Sequence, residues 1–181
     1  MSDRQHIVTD RFRAIAPAVE TAVARKRNVM SLMYSREAFT LAVTALPEVL
    51  RNPSDLEARG KMLVGAALAG TAIETSMLGA THSAANPLTE HYDIPHGQAI
   101  GLMLPHVIRF NARDANARLA YAELASAPEI ACVSEGLDVA VQALIDRLEW
   151  LLNIAGMPRS LAEAGVKQEV AELGGQVTRD L

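Results

Sequence analysis

Three of the five histidines in this 181-residue chain fall in one short stretch, THSAANPLTEHYDIPHG, residues 81–97: His82, His91 and His96. A neutral imidazole nitrogen is a good donor to a divalent metal. The pattern predicts that His82 stands at the end of a small-residue helix, or just after it, and that His96 stands beside Gly97 at the start of the next helix. Helix termini joined by a loop of that length can return two side chains to one point, where two imidazoles could share an ion. In the competing reading each ring simply hydrogen-bonds backbone near a helix end. The spacing is neither HxxxH nor HExxH, so spacing alone establishes no metal site. His91 in EHYD and His106 in LPHV read as structural or surface histidines. Cys132 has no Cys/His arrangement to pair with and reads as a core or boundary residue.

The elements that must position these residues read as helices. Phe12, Ile15, Val19 and Val23 recur at helical spacing, with Thr9 as a possible cap and an end near Asn28, so that the basic run ARKRN (24–28) forms a cationic last turn. A second helix from about Ser31 carries Leu32, Phe39, Val43, Leu46 and Leu50 on one face. Asn52, Pro53, Asp55 and Glu57 announce a third, with asparagine as cap and proline at the first helical position. From about 54 to 80 this helix is dense in Gly60, Gly65, Gly70 and alanines, which suits the middle of a bundle. GQAIGLMLPHVIRFN predicts a helix interrupted or kinked at Pro105. Residues 134–155 are amphipathic, with Ser134 as cap, Leu137, Val141, Leu144, Leu148 and Leu151 facing the core, and Gly156 and Pro158 as the stop. A last short helix is expected over 167–180, and no alternation long enough for a strand appears.

The composition agrees with an all-α fold in a single domain over residues 1–181: half the residues are hydrophobic, yet only three Phe, three Tyr and one Trp are present. A net charge of −4 with dispersed basic residues shows no footprint for nucleic acid. The start MSDRQHIVTD has no apolar signal region, the one apolar stretch of spanning length contains Glu74, and a single cysteine suits a reducing compartment. A cytoplasmic protein, not bound to membrane, is the expectation.

The run GAALAGTAIETSMLGATHSAANPLTEHYDIPHGQAIGLMLPHVIRFNA resembles the signature of the iron-containing, group III alcohol dehydrogenases, whose architecture is shared with dehydroquinate synthase and glycerol dehydrogenase. The likeness covers residues 10–155 and corresponds to that family's all-helical C-terminal domain. It implies an ancestral NAD(P)-dependent alcohol or aldehyde oxidoreductase in which iron or zinc polarises the substrate oxygen, with His82 and His96 at two metal-ligand positions. It further implies that RAIAPAVE, residues 13–20, corresponds to a segment reading roughly DAxxHAxE, which supplies an aspartate and a histidine as the other two ligands. Here Arg13 and Pro17 occupy those positions.

A guanidinium repels a cation and a proline donates nothing to one, while catalytic zinc takes three protein ligands. The metal is therefore expected to be weakly bound or absent, and the chain inactive alone. Pro17 also predicts a kink or restart of the first helix near Ala16. Asn86 stands where many members carry a further histidine. No GxGxxG or P-loop occurs, so NAD(P) would act only through a nucleotide-binding domain absent here, and Gly174–Gly175 reads as a break between terminal segments. Rescue of the ligand set by Asp3, His6 or Asp10 is disfavoured. The alternative is a non-catalytic binding or assembly module in which Arg13 replaces the metal and, with His82 and His96, holds a small carboxylate. Expected partners are a second copy of the chain or a separate nucleotide-binding chain, since a bundle without its partner domain should expose an apolar face.

Overall fold

The structure, a computed structural model, describes residues 3–166, with side chains described for Phe12 and from Ala14 onward. The expected helix at 167–180, the Gly174–Gly175 break and the side chains of Asp3, His6, Asp10 and Arg13 lie outside the described residues. Seven α-helices follow one another among the described residues: α1 (Asp3–Val23), α2 (Val29–Arg51), α3 (Leu56–Ser76), α4 (Ala80–Tyr92), α5 (His96–Asn111), α6 (Ala115–Ser126) and α7 (Leu137–Ile154), with a 3-10 turn at Val133–Glu135. No strand occurs among them. The expected all-α architecture is the observed one.

The central element is α1. From Ala14 to Ala22 every side chain is buried, and the helix packs against α2, α3, α4, α5 and α6. A helix enclosed on all sides has to be apolar all round, and AIAPAVETAVA is that run. Pro17 does not break it: α1 is one continuous helix, without the expected restart near Ala16. The Thr21 hydroxyl donates to the Pro17 carbonyl at 2.7 Å and lies 2.6 Å from Ser35 Oγ, which ties the proline turn to α2. Pro105 is likewise carried inside a continuous α5, because surrounding packing outweighs the lost backbone bond.

The expectation that the small-residue helix lies in the middle is corrected. α3 lies at the edge, against α2 and α1. Its buried face is Ala58, Met62, Gly65, Ala69, Ala72 and Ser76, and small residues there bring two helices close. A Cβ at Gly65 would stand 3.2 Å from the Ala38 carbonyl oxygen of α2.

Several boundaries move for local reasons. α1 ends at Val23, and ARKRN is the connection rather than its last turn; Arg27 still serves the helix end, donating to the Ala24 carbonyl at 3.1 Å. Asn28 does not close α1 but caps α2, its side chain accepting from the Met30 and Ser31 amides in a reciprocal box with the Ser31 hydroxyl. Asn52 terminates α2, and Asp55 caps α3 by accepting from the Ala58 amide at 2.9 Å. α7 begins after Gly136, whose φ of 113° few other residues tolerate, and not at Ser134. Two helices had no forecast at all: α4, which occupies most of the histidine stretch, and α6, capped by Asp114 through the amides of Asn116 and Ala117.

The two candidate caps are separable in solution. Asp55→Ala should lower unfolding free energy by about 1 kcal/mol in urea denaturation, whereas Asn52→Ala should cost less than half as much. Equal effects, or a larger one at Asn52, would place the start of α3 at the earlier residue.

Candidate functional site

The site is built where the chain turns sharply from α3 into α4, whose axes differ by 108°. Met77 ends α3 with φ 72° and ψ 164°, a backbone region that costs a side-chain-bearing residue on the order of 1–3 kcal/mol. Gly79 follows as the N-cap of α4 and has no side chain with which to cap it. The cap comes instead from α1. Glu20, only 3% exposed, directs its carboxylate at the first turn of α4: Oε1 accepts the Thr81 amide at 2.7 Å and the His82 amide at 3.2 Å. A Cβ at position 79 would sit 3.2 Å from that same Oε1, so only glycine lets the turn come this near.

The other oxygen, Oε2, is hydrogen-bonded to His82 Nδ1. An ionised carboxylate only accepts, so Nδ1 is the donor of this bond, and in a neutral ring Nε2 would then hold the lone pair. Three hydrogen bonds and the positive end of the α4 dipole offset the cost of burying this charge. The same bonds fix the orientation of the His82 ring.

His96 is the first residue of α5, reached through Asp93 in left-handed conformation (φ 53°) and Pro95. Its ring centroid lies 5.6 Å from that of His82, at 61° between the planes. The structure thus brings together the two histidines singled out in the sequence. It does so across a helix and a short turn rather than a loop, because residues 80–92 are helical and His82 belongs to the first turn of α4, not to the end of α3.

The remaining candidates are elsewhere. His91 and His106 are exposed, in agreement with a surface role, and so is Asn86. Cys132 is exposed and not a core or boundary residue; its Sγ lies 2.9 Å from the Ser134 hydroxyl, a contact that lowers the thiol pKa.

Sequence reasoning missed Glu20. The signal was present, since Glu20 is the only charged residue between Arg13 and Arg25, and a lone acid in an apolar run must be buried with partners or must break the run. On its far side the Gly79 turn borders an open cleft of about 800 Å³, walled by Val23, Met77, Leu78 and Phe110 and flanked by Arg25 and Arg113. Neither His82 nor His96 lines it.

The iron or zinc that the resemblance implies would need several donors at one point. Two imidazoles converge, the nearest carboxylate has both oxygens engaged by α4 and His82, and Pro17 offers no lone pair. Among the described residues no group of three His, Cys, Asp or Glu side chains is placed to hold a metal ion. Among the described residues the donor set falls short of the three protein ligands of a catalytic zinc site.

Comparison with known proteins bears on the same region. The sequence model described as the Fe-containing alcohol dehydrogenase family, C-terminal, matches residues 8–178. A 1-propanol dehydrogenase of Citrobacter freundii is 34% identical over 147 residues, which is 81% of this chain and 40% of that protein. A 1,3-propanediol dehydrogenase of Klebsiella pneumoniae is 31% identical over 155 residues, 86% of this chain and again 40% of the relative. The fold superposes on an alcohol dehydrogenase from Oenococcus oeni with a TM-score of 0.84 at 28% identity, covering 91% of this chain and 43% of that one. The chain therefore spans about two fifths of the length of the relatives it matches.

Replacing the capping carboxylate tests the site's construction. Glu20→Gln keeps one acceptor oxygen and loses the other, which should reduce stability by about 1–3 kcal/mol and speed amide exchange at Thr81 and His82 more than elsewhere. Unchanged exchange at those two amides would mean that α4 starts without Glu20.

Proposed function

The chain belongs to the Fe-containing alcohol dehydrogenase family, and from that premise we propose that it is a helical metal-domain scaffold of ancestrally NAD(P)-dependent alcohol or aldehyde oxidoreductases, without dehydrogenase turnover of its own. The observation that carries this reading is the donor set among the described residues: His82 and His96 face each other, while Glu20 is committed to the α4 N-terminus and to His82 Nδ1. In this reading His82 and His96 keep two ancestral ligand positions, and Arg13 and Pro17 have taken the other two.

Each substitution acts by a different physical route. Pro17 removes a donor outright. Arg13 brings a positive charge to a helix turn where an ion would need negative charge, and a guanidinium does not lose its proton at any ordinary pH. Metal bound to a member of this family polarises a substrate oxygen; what this chain's own residues do is hold His82 in fixed orientation beside His96, with the Glu20 carboxylate accepting from Nδ1 and leaving Nε2 on the far side of the ring.

The test restores both positions at once. The native chain purified without oxygen should carry far less than one iron or zinc per chain by elemental analysis. It should show no NAD(P)-dependent oxidation of 1-propanol or 1,3-propanediol. Arg13→Asp with Pro17→His should raise metal content towards one per chain. Stoichiometric metal or turnover in the native chain would overturn the proposal.

A further inference from the structure

α3 is apolar on two sides, and the bundle covers only one of them. Opposite the face buried against α2 and α1, Leu56, Leu63 and Val64 are 82%, 72% and 52% exposed. Leu56, Gly60, Leu63, Ala67, Gly70 and Glu74 follow one another at alternating steps of four and three residues, the repeat of a seam between two helices. A Cβ at Gly60 or at Gly70 would meet nothing within 4 Å, so leucines alternate with shallow open places along the stripe. No described helix is long and apolar enough by itself to cross a membrane, and α3 passes such a test only jointly with α4, across the sharp bend between them.

We infer that this face pairs with α3 of a second copy of the chain, antiparallel across a twofold axis at Ala66–Ala67. Around that axis Leu63 of each copy faces Gly70 of the other, a large side chain over an open glycine. The small residues at the centre let the two backbones approach closely. Arg59, which flanks the stripe beside Gly60, and Glu74, at its far end, lie equally far from the axis, so each Arg59 meets Glu74 of the other copy.

Both groups are available for this. Arg59 is exposed and its side chain makes one bond, from Nη1 to the Pro53 carbonyl at 3.2 Å. Glu74 is exposed and has no ionic partner among the described residues. A parallel pairing would instead set arginine against arginine and glutamate against glutamate. Charge therefore selects the antiparallel register that the leucine–glycine alternation also prefers. A symmetric pair of this kind is closed, and it buries the stripe on both copies with one contact.

The inference is independent of the metal reading and is tested without reference to metal. Sedimentation equilibrium of the full chain over a dilution series should show a reversible dimer. Leu63→Glu, at an exposed position, should leave helical circular dichroism unchanged and abolish association. Arg59→Glu and Glu74→Arg should each weaken association about tenfold, because like charges then meet in both symmetric pairs. The two together should restore it to within about threefold. A chain that stays monomeric throughout would overturn the inference. So would a dimer indifferent to Leu63→Glu, or a double reversal no tighter than the singles. A monomer that instead cosediments with phosphatidylserine vesicles would overturn it too, and would make the stripe a lipid-facing surface.

Discussion

The carboxylate of Glu20 is the interaction on which the rest of the site depends. It sits inside the bundle on the central helix, and a charge there is tolerable only with its lone pairs used. The first turn of α4 uses one oxygen and His82 the other. To deliver those donors the chain accepts a strained Met77, a glycine at 79 and an abrupt change of direction after α3. The position of His82, and through it the facing pair with His96, follows from satisfying one buried acid.

That dependence separates scaffold from chemistry. The turn, the cap and the convergence of the imidazoles are properties of backbone geometry and of Glu20, and none of them requires an ion. Positions 13 and 17, on the same helix as Glu20, carry an arginine and a proline. α1 accommodates the proline because it is surrounded by other helices, and the turn that follows it is tied to α2 through Thr21 and Ser35. A fold held by enclosure of its central helix can thus keep its shape while individual residues on that helix vary.

Much of this was legible in the sequence, in proportion to how strongly each segment's apolar residues were confined to one face. α7 shows its core positions directly, and Val141, Leu144, Leu148 and Leu151 are all buried as their spacing requires. α1 and α2 were found but misjoined, since Asn28 is an equally good end for one helix and cap for the next. Asn52 and Ser134 are good caps by type that lost to Asp55 and Gly136, where the backbone makes the turn. α4 and α6 escaped notice because their buried residues are few and small, among them Thr81, Ala85, Ala122 and Ala125, and give little periodic signal. The placement of α3 was misread for the opposite reason: residues apolar on every side suggest burial by the same chain, and the local pattern does not say whose surface does the covering. For the site, the two histidines are visible as a pair, whereas the acid that orients one of them stands 62 residues from it, with no spacing pattern to link them.

The enclosure of α1 also bears on how the chain comes into being. α1 leaves the ribosome before the helices that enclose it, and two of these, α5 and α6, follow only after α2, α3 and α4. Until they emerge, Phe12, Ile15 and Val19 have only part of their final cover, and an apolar segment left waiting in this way is a natural client for chaperones. Helix α1 is made before its cover and is completed only by it.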